Sequence, residues 1–494
     1  MIAVLNQIKS NLLDNKTTKQ TVAKNTFWLT VSLVVSKVIK YSLIIYAARF
    51  LGASEYGTFN FSMSFVALFA IFADLGINTL TSREVAKEKE VKVKIPTIFT
   101  LKIAISIATF IGIAAVSFLV PQTEKIKTVI WLMAGFSLVN GISNFLYNCF
   151  YGRQEMQYQT ITEIVEALVC TVLGIYFISL NPHAYSLAIA YVISALSGFV
   201  VIALIFKHKF GDILKPTVDK KEWQRVLTMA WPLALSGIFA TIYTNTDSII
   251  LGFWKLFTQV GYYNAAQKII ALAVVPAGLV ATAFFPILSR HSENDKPKTQ
   301  KIFDYQNIIL LAIAIPMIVG GFILANGMII HIYGEAYLPA VLALKILILM
   351  AGMSYLATAF GNILLVYNQQ KNAFWAYFWG AMINVPLDIL WIGKWGFYGA
   401  AWATVVTSFL SITILAYFVR KHTPLKLVDW SLTKYLIAIL ISSALMGFVL
   451  LNLASHNVNV ILKVILGILV YSICISVFYC IFNHKNTLIF EKEV

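Results

Sequence analysis

This sequence contains unusually few charged residues. Only 12% of its 494 residues are Asp, Glu, Lys or Arg, whereas 59% are hydrophobic and the mean hydropathy is +0.78. Soluble domains carry about 25% charged residues, so this composition excludes a soluble enzyme or a nucleic-acid-binding module and indicates a polytopic membrane protein. The formal net charge of +16 can be interpreted only after the charged residues are located along the chain.

Cysteine and histidine are also scarce. The four cysteines lie in apolar runs, where they are typical of small buried residues, and they predict neither a disulfide scaffold nor a metal site. The seven histidines are scattered, without a pair at metal-ligand spacing on one helix face, and no Gly-rich phosphate loop ending in Lys-Ser/Thr occurs. The chain is therefore not expected to be an enzyme or to hold a cofactor. Coupling to H⁺ or Na⁺ is left open.

Long apolar runs, by contrast, are abundant. About fourteen runs of roughly 20 residues occur, and each is predicted to be a helix because backbone polar groups in lipid must be satisfied within the segment. The fold class is therefore an all-α polytopic membrane protein. The predicted spans are 26–49, 55–80, 96–120, 127–150, 160–180, 184–206, 228–253, 259–287, 305–326, 338–366, 373–392, 396–419, 432–453 and 458–482.

Lysine and arginine lie overwhelmingly on one side of these spans. Of the 38 such residues, 26 fall on the side of the N-terminus and five on the opposite side. The positive-inside rule therefore places both termini in the cytoplasm of a cell (plasma or inner) membrane protein. Residues 1–24 are predicted to be a cytoplasmic segment, either an interfacial helix or a frayed tail, and residues 484–494 a cytoplasmic tail.

The chain also repeats itself. The segment "LGASEYGTFN", ending at Asn60, resembles "LGFWKLFTQVGYYN", ending at Asn264, and two weaker matches follow in the same order. Spans one to six thus recur as spans seven to twelve with the same orientation, an architecture of transporters whose substrate site lies between the halves. The predicted domains are an N-lobe (25–210), a cytoplasmic linker (211–225), a C-lobe (226–422) and two extra helices (430–483).

Three lysines lie deep in the predicted spans. Lys37 and Lys40 share a face of the first span, where each charge costs about 2.5–3.5 kcal/mol near the centre of a membrane helix, and Lys268 lies deep in the eighth. Either an acid neutralises each lysine or the lysines face an anionic ligand in a cavity. The available acids are Asp74, Glu163, Glu166, Asp247 and Asp388. Four other lysines near span ends are expected to reach water: Lys102, Lys345, Lys434 and Lys463.

Five further residues are candidates for roles in a transport cycle. Asp247 is either a coupling site for H⁺ or Na⁺ or a structural residue, and Asp74 is either a packing or a gate residue. Arg83 and Arg290 end their spans on the cytoplasmic side, which topology alone explains, although an inner gate is the alternative. Pro276 lies near the middle of the eighth span, where proline kinks a helix, and it is predicted to be a hinge.

Three motifs carry a resemblance to a known family. "LGASEYGTFNFSMSFVALFAIFADLGINTLTSRE", "TNTDSIILGFWKLFTQVGYYNAAQKI" and "GFYGAAWATVV" resemble signatures of the polysaccharide repeat-unit flippases, the Wzx-like group. This group belongs to the MOP superfamily, which also includes the lipid II flippases and the multidrug and toxin extrusion (MATE) antiporters. The resemblance implies two six-helix lobes around a central cavity that is lined mainly by helices one, two, seven and eight.

By this resemblance, the expected function is to flip a polyprenyl-diphosphate-linked oligosaccharide from the cytoplasmic to the outer leaflet for cell-surface polysaccharide synthesis. Lys37, Lys40 and Lys268 are expected to bind the diphosphate. The expected partners are this lipid, the bilayer and the polysaccharide polymerase or export machinery, without nucleic acid. The alternative is a multidrug and toxin antiporter, although cationic drugs call for deep carboxylates. A polysaccharide polymerase or ligase would need a large external loop, and all of the extracytoplasmic loops are short.

Overall fold

The structure is a computed structural model that describes residues 17–87, 91–211, 215, 217–292, 295–427, 432–454 and 458–483. All the regular secondary structure in these ranges is helical, which confirms the predicted all-α membrane fold. Residues 1–16 of the predicted N-terminal segment and the predicted tail, 484–494, lie outside the described residues.

Sixteen α-helices occur in these described ranges, numbered here in chain order. They are α1 (Thr18–Val31), α2 (Lys37–Ala70), α3 (Ile77–Ala86), α4 (Val91–Leu119), α5 (Glu124–Gly152), α6 (Gln157–Leu180), α7 (Ala184–Phe210), α8 (Lys220–Phe253), α9 (Phe257–Ala273), α10 (Val275–His291), α11 (Lys296–Tyr333), α12 (Ala340–Val366), α13 (Gln370–Trp395), α14 (Phe397–His422), α15 (Thr433–Ala454) and α16 (Val460–Asn483). A π-helical turn, Ser32–Ser36, joins α1 to α2.

Twelve helices in the described chain are long and apolar enough to cross a membrane, so the predicted count of fourteen is not confirmed. One of the twelve, Gln20–Ala70, has 51 residues and would measure about 76 Å at 1.5 Å per residue. Its backbone leaves the helical region at Gly52, where φ is 70°. This bend falls in the loop predicted between the first two spans.

The first compact unit comprises Met1–Gly261. Within it, α6 packs against α7 and α2, and α5 packs against α3, α4 and α7. Aromatic side chains from two of these helices lie in one buried apolar cluster: Phe145 and Phe150 from α5, and Phe206 from α7. Helix α8 also belongs to this unit and contacts α2, α3 and α4. The division into lobes at 25–210 and 226–422 stays a prediction.

The second compact unit comprises Tyr262–Val494. Helices α11, α12, α13 and α14 pack in sequence, and α15 and α16 pack along α11. The main core contains Phe303, Tyr355 and Leu415. A cavity of about 400 Å³ beside α11, α15 and α16 is lined by apolar residues such as Met317 and Leu450. Its lining suits hydrocarbon and does not suit a sugar or a phosphate.

Candidate functional site

Lys37 follows an irregular turn in the first membrane helix. The π-helical turn Ser32–Ser36 directly precedes it, and π-helical turns inside helices occur frequently at functional sites. The Lys37 side chain is exposed, and no carboxylate of the described residues lies within 4 Å of its ammonium group. Half-buried Tyr41 follows one turn later on the same face. The Lys37 ammonium is therefore exposed and has no acidic partner in the described chain, and its role as an anion ligand stays a prediction.

Lys40 differs from Lys37 although the two lie only three residues apart. Its Nζ is 3.0 Å from Oε1 of Glu166 on α6, and the Lys40 and Glu166 side chains are 33% and 6% exposed. The sequence left two alternatives for each lysine, neutralisation by an acid or contact with an anionic ligand. Lys40 is neutralised by an acid, whereas Lys37 is not neutralised by any acid of the described residues. A ligand that binds Lys40 has to compete with Glu166.

A polar cluster surrounds this ion pair inside the first unit. The Ser32 hydroxyl, in the π-helical turn, donates a hydrogen bond to Glu163, and Gln159 Nε2 donates to the other Glu163 oxygen at 2.7 Å. The side chain of Tyr147 on α5 is also buried, and its hydroxyl has no hydrogen-bond partner among the described residues. The sequence named the two glutamates as acids but did not identify Ser32 or Tyr147. The spacing of Gln159, Glu163 and Glu166 at i, i+4 and i+7 was the available signal.

Lys268 lies on α9, eleven residues after Phe257, and its side chain is half-buried. No carboxylate of the described residues lies within 4 Å of its ammonium group. The second unit therefore also contains an unneutralised lysine in a membrane helix. Lys268 and Lys37 are the two predicted site lysines without an acidic partner in the described chain.

Asp74 lies in a break between α2 and α3. The chain turns at Leu75 (φ 44°) and Gly76 (φ 78°), and Asp74 Oδ1 accepts a hydrogen bond from the Asn78 amide at 3.3 Å, which caps α3. Lys102 Nζ contacts Asp74 Oδ1 at 3.0 Å and the Ala73 carbonyl oxygen at 2.8 Å. The side chain of Lys102 is only 1% exposed, so the prediction that it reaches water is wrong. The geometry supports a structural role for Asp74.

The remaining charged candidates divide into one buried and two exposed residues. Asp247 is buried in α8, 2% exposed, and its role in coupling stays a prediction. Arg83 and Arg290 are exposed in the last turns of α3 and α10, where a cation interacts favourably with the helix dipole. Both the topological explanation and an inner gate stay predictions.

The helix that carries Pro276 is interrupted, as a proline kink predicts. Helix α9 ends at Ala273, and α10 begins at Val275 with Pro276 in its first turn. The Ala273 carbonyl at the interruption accepts a hydrogen bond of 2.7 Å from the Tyr355 hydroxyl on α12. The break is therefore present, whereas motion about it stays a prediction.

Glycines of the repeated motif meet one another in the first unit. A Cβ atom at Gly57 would overlap the Phe257 carbonyl oxygen and lie 2.8 Å from the Gly261 amide nitrogen. A Cβ at Gly261 would overlap the Ala53 carbonyl oxygen. Gly57 and Gly261 occupy equivalent positions in the two copies of the repeat. Backbone contact between α2 and α9 explains why both copies carry glycine there.

Charged side chains link the C-terminal end of α3 to the N-terminal ends of α4 and α8. The Glu84 carboxylate, on a residue that is 8% exposed, lies 3.2 Å from Lys87 Nζ, 3.8 Å from Lys94 Nζ and 3.5 Å from Arg225 Nη2. Trp223 Nε1 also donates a 3.0 Å hydrogen bond to the Thr97 carbonyl. The N-terminal end of α8 is thus fastened to α3 and α4.

Comparison with known proteins identifies the family. The family described as polysaccharide biosynthesis protein matches residues 22–292, which is more than half of the chain. A putative O-antigen transporter of Escherichia coli K12 is 24% identical over 420 residues, covering 82% of this chain and 98% of that protein.

Two solved structures share the fold. The lipid II flippase MurJ in an inward closed conformation superposes with a TM-score of 0.72 at 18% identity, over 92% of this chain and 99% of MurJ. An inward-facing MATE family transporter of the MOP superfamily gives 0.64 at 16% identity, over 79% and 97%. These likenesses confirm the MOP-type fold that the sequence motifs indicated. The chain belongs to the polysaccharide biosynthesis protein family.

Proposed function

We propose that the protein is a flippase that carries a polyprenyl-diphosphate-linked oligosaccharide from the cytoplasmic to the outer leaflet by alternating access. The observation that carries the proposal is the exposed ammonium of Lys37, which has no acidic partner in the described chain although it lies in a membrane helix. Such a charge is costly in lipid, so it calls for a polar, anionic ligand. Family membership and the O-antigen transporter relative support a polysaccharide precursor as that ligand.

The diphosphate of such a lipid suits the two unneutralised lysines. At about 4 Å and an effective dielectric of about 20, each ammonium–phosphate charge pair is worth about 4 kcal/mol. Lys37 and Lys268 supply this attraction without losing an existing ion pair. Lys40 contributes only when it exchanges Glu166, 3.0 Å away, for the ligand. The cationic cavity predicted from the sequence would admit the sugars while the polyprenyl tail remains in the bilayer.

The alternative of a multidrug and toxin antiporter shares the fold, and structural likeness at 16% identity does not distinguish it. The charges favour the flippase, because Lys37 and Lys268 would repel a cationic drug. A transporter is also proposed in preference to an enzyme, given the name of the E. coli relative. Coupling to H⁺ or Na⁺ through Asp247 is part of the proposal, as are cytoplasmic termini in a plasma or inner membrane.

The proposal is tested by Lys37→Met in a strain that lacks the chromosomal copy. We expect export to fall about ten- to hundredfold, the change that a loss of about 1.4–2.8 kcal/mol of ligand binding produces. Polyprenyl-diphosphate oligosaccharide should then accumulate, protected from a periplasmic or extracellular glycosidase. Lys37 suits this test because removing it leaves no described acid unpaired.

The matched control is Lys207→Met, which removes an exposed lysine from the last turn of α7 at the cytoplasmic end. This variant should export normally. Normal export by Lys37→Met, at an unchanged amount of protein in the membrane, would refute the proposed role of Lys37. A deletion strain with no accumulated lipid-linked oligosaccharide would refute the function itself.

A further inference from the structure

The interruption between α9 and α10 changes the partner of one backbone carbonyl. Proline has no N–H group, and the chain tightens beside Pro276. The Ala277 amide donates to the Val274 carbonyl at 3.1 Å, three residues back, and not to Ala273, four residues back as in an α-helix. This leaves the Ala273 carbonyl without its usual donor inside a membrane segment, where an unsatisfied carbonyl is costly.

Helix α12 supplies the missing donor. The hydroxyl of Tyr355, which is fully buried, donates to the Ala273 carbonyl at 2.7 Å. Asn362, seven residues and about two turns later on α12, donates from Nδ2 to the Ala281 carbonyl of α10 at 2.8 Å. One face of α12 therefore holds the backbone on both sides of the break.

The Ala273 carbonyl thus has two alternative donors that belong to two shapes of the helix. In the interrupted form seen here it accepts from Tyr355, and in a continuous helix it would accept from the amide of Ala277. The carbonyl oxygen has two lone pairs, so a continuous helix would satisfy it through the Ala277 amide with or without Tyr355. The interrupted form depends on Tyr355 for a donor, and this dependence couples the contact with α12 to the shape of the helix.

Another proline in the same unit shows that this arrangement is not a general consequence of proline. Tyr471 donates to the Ala312 carbonyl, also at 2.7 Å, four residues before Pro316. There the alternative donor would be residue 316, which has no N–H, and α11 runs unbroken from Lys296 to Tyr333. Tyr471 therefore satisfies a carbonyl that has no other possible donor within its helix, whereas the Ala273 carbonyl has one in the Ala277 amide.

We propose that Tyr355 is a positioning residue that holds α9 and α10 in their bent arrangement and thereby sets the place of Lys268, five residues before Ala273. Asn362, also on α12, supports the same arrangement through its hydrogen bond to the Ala281 carbonyl of α10. The importance of this position rests on the proposed function, because only that function gives Lys268 a ligand. The bend itself does not depend on it.

The test measures the bend directly, by pulsed electron paramagnetic resonance between spin labels at Gln267 and Ser289. These positions flank the break and are half-buried and exposed, respectively. A straight helix would separate their backbones by about 33 Å, at 1.5 Å per residue over the 22 residue steps from Gln267 to Ser289. The labels are placed in full-length protein whose four native cysteines have been replaced by serine or alanine.

We expect Tyr355→Phe, which removes only the hydroxyl, to move the distance distribution towards the straight limit. Losing one hydrogen bond should change the balance of bent and straight forms about two- to tenfold. Pro276→Ala, which returns an N–H to the break, should move the distribution the same way and serves as a second test if Tyr355→Phe is poorly produced. Tyr471→Phe loses an equivalent hydrogen bond in α11 and should leave the distribution unchanged.

Export measurements complete the test. The proposal is supported if Tyr355→Phe changes the distance and lowers export about two- to tenfold, while Tyr471→Phe does neither. An unchanged distance distribution in both Tyr355→Phe and Pro276→Ala overturns it. A changed distance with normal export overturns the positioning of Lys268. The flippase function is judged separately, by accumulation of the lipid-linked oligosaccharide in the deletion strain.

Discussion

The ion pair of Asp74 and Lys102 predicts an asymmetric response to mutation. The Lys102 side chain is 1% exposed, whereas that of Asp74 is 38% exposed. Asp74→Asn leaves a buried ammonium without its counter-charge, with the Ala73 carbonyl, 2.8 Å away, and a neutral amide oxygen as its hydrogen-bond acceptors. Breaking a buried ion pair from one side costs about 3–5 kcal/mol. We expect about 3 kcal/mol, the lower end, because that carbonyl contact remains. Asparagine still accepts from the Asn78 amide, so the cap of α3 is retained.

The opposite change should be mild. Lys102→Met fills nearly the same volume with an apolar side chain, and the Asp74 carboxylate it leaves behind can be hydrated. Its cost should be about 1 kcal/mol or less, as for exposed pairs. The double variant should resemble Lys102→Met alone, because the buried charge that makes Asp74→Asn costly is then absent.

Thermal unfolding of the purified protein in detergent, followed by fluorescence-detected size-exclusion chromatography, ranks the three variants. We expect the lowest midpoint temperature of unfolding for Asp74→Asn. In the double variant the midpoint temperature should rise again to that of Lys102→Met. Equal midpoints for the two single variants, or a lower one for Lys102→Met, would show that the burial of Lys102 does not govern the energetics.

Two more predictions concern contacts in the first unit. Gly57→Ala should lower the midpoint and export because its Cβ overlaps the Phe257 carbonyl. The control is Gly112→Ala, whose added Cβ would meet no heavy atom within 4 Å, and which should be neutral or stabilise by up to about 1 kcal/mol. Equal midpoint temperatures for the two alanine variants would contradict the close contact of Gly57 with the Phe257 carbonyl. Lys40→Met should destabilise by about 3–5 kcal/mol, because Glu166 is only 6% exposed, and adding Glu166→Gln should recover the midpoint. A Lys40→Met protein as stable as the parent would show that this ion pair is dispensable.

Much of the helical layout follows from the sequence because bilayer thickness and backbone hydrogen bonding fix the length of a membrane helix. The span predicted at 184–206 corresponds to Ala184–Phe210, and 396–419 corresponds to Phe397–His422. The break beside Pro276 was predictable for the same reason, since the missing N–H is a local property. The π-helical turn at Ser32–Ser36 was not, because its residues show no comparable local signal.

Ion pairs between helices that are distant in the sequence could not be predicted from the local sequence. Lys102 lies near the end of its predicted span, so distance along the chain suggested that it reaches water. The structure buries it because the break after α2 brings Asp74 and the Ala73 carbonyl to its ammonium group. Depth along one helix gives the distance to the bilayer surface, but it does not reveal which neighbouring helix covers the side chain.

The same limit separates Lys37 from Lys40. The two lysines are three residues apart on one helix face, so helical spacing predicts the same ligand-binding role for both. The predicted free-energy cost of placing the charge in the membrane is also the same for both. What distinguishes them is Glu166, 126 residues later, which lies 3.0 Å from Lys40 and leaves Lys37 without an acid in the described chain. The free-energy cost of a lysine in a membrane helix must be offset either by a permanent acidic partner in the protein or by an anion that binds transiently. Lys40 has the fixed partner, so the transient anion is assigned first to Lys37, and a variant of Lys37 tests the function without also breaking an ion pair.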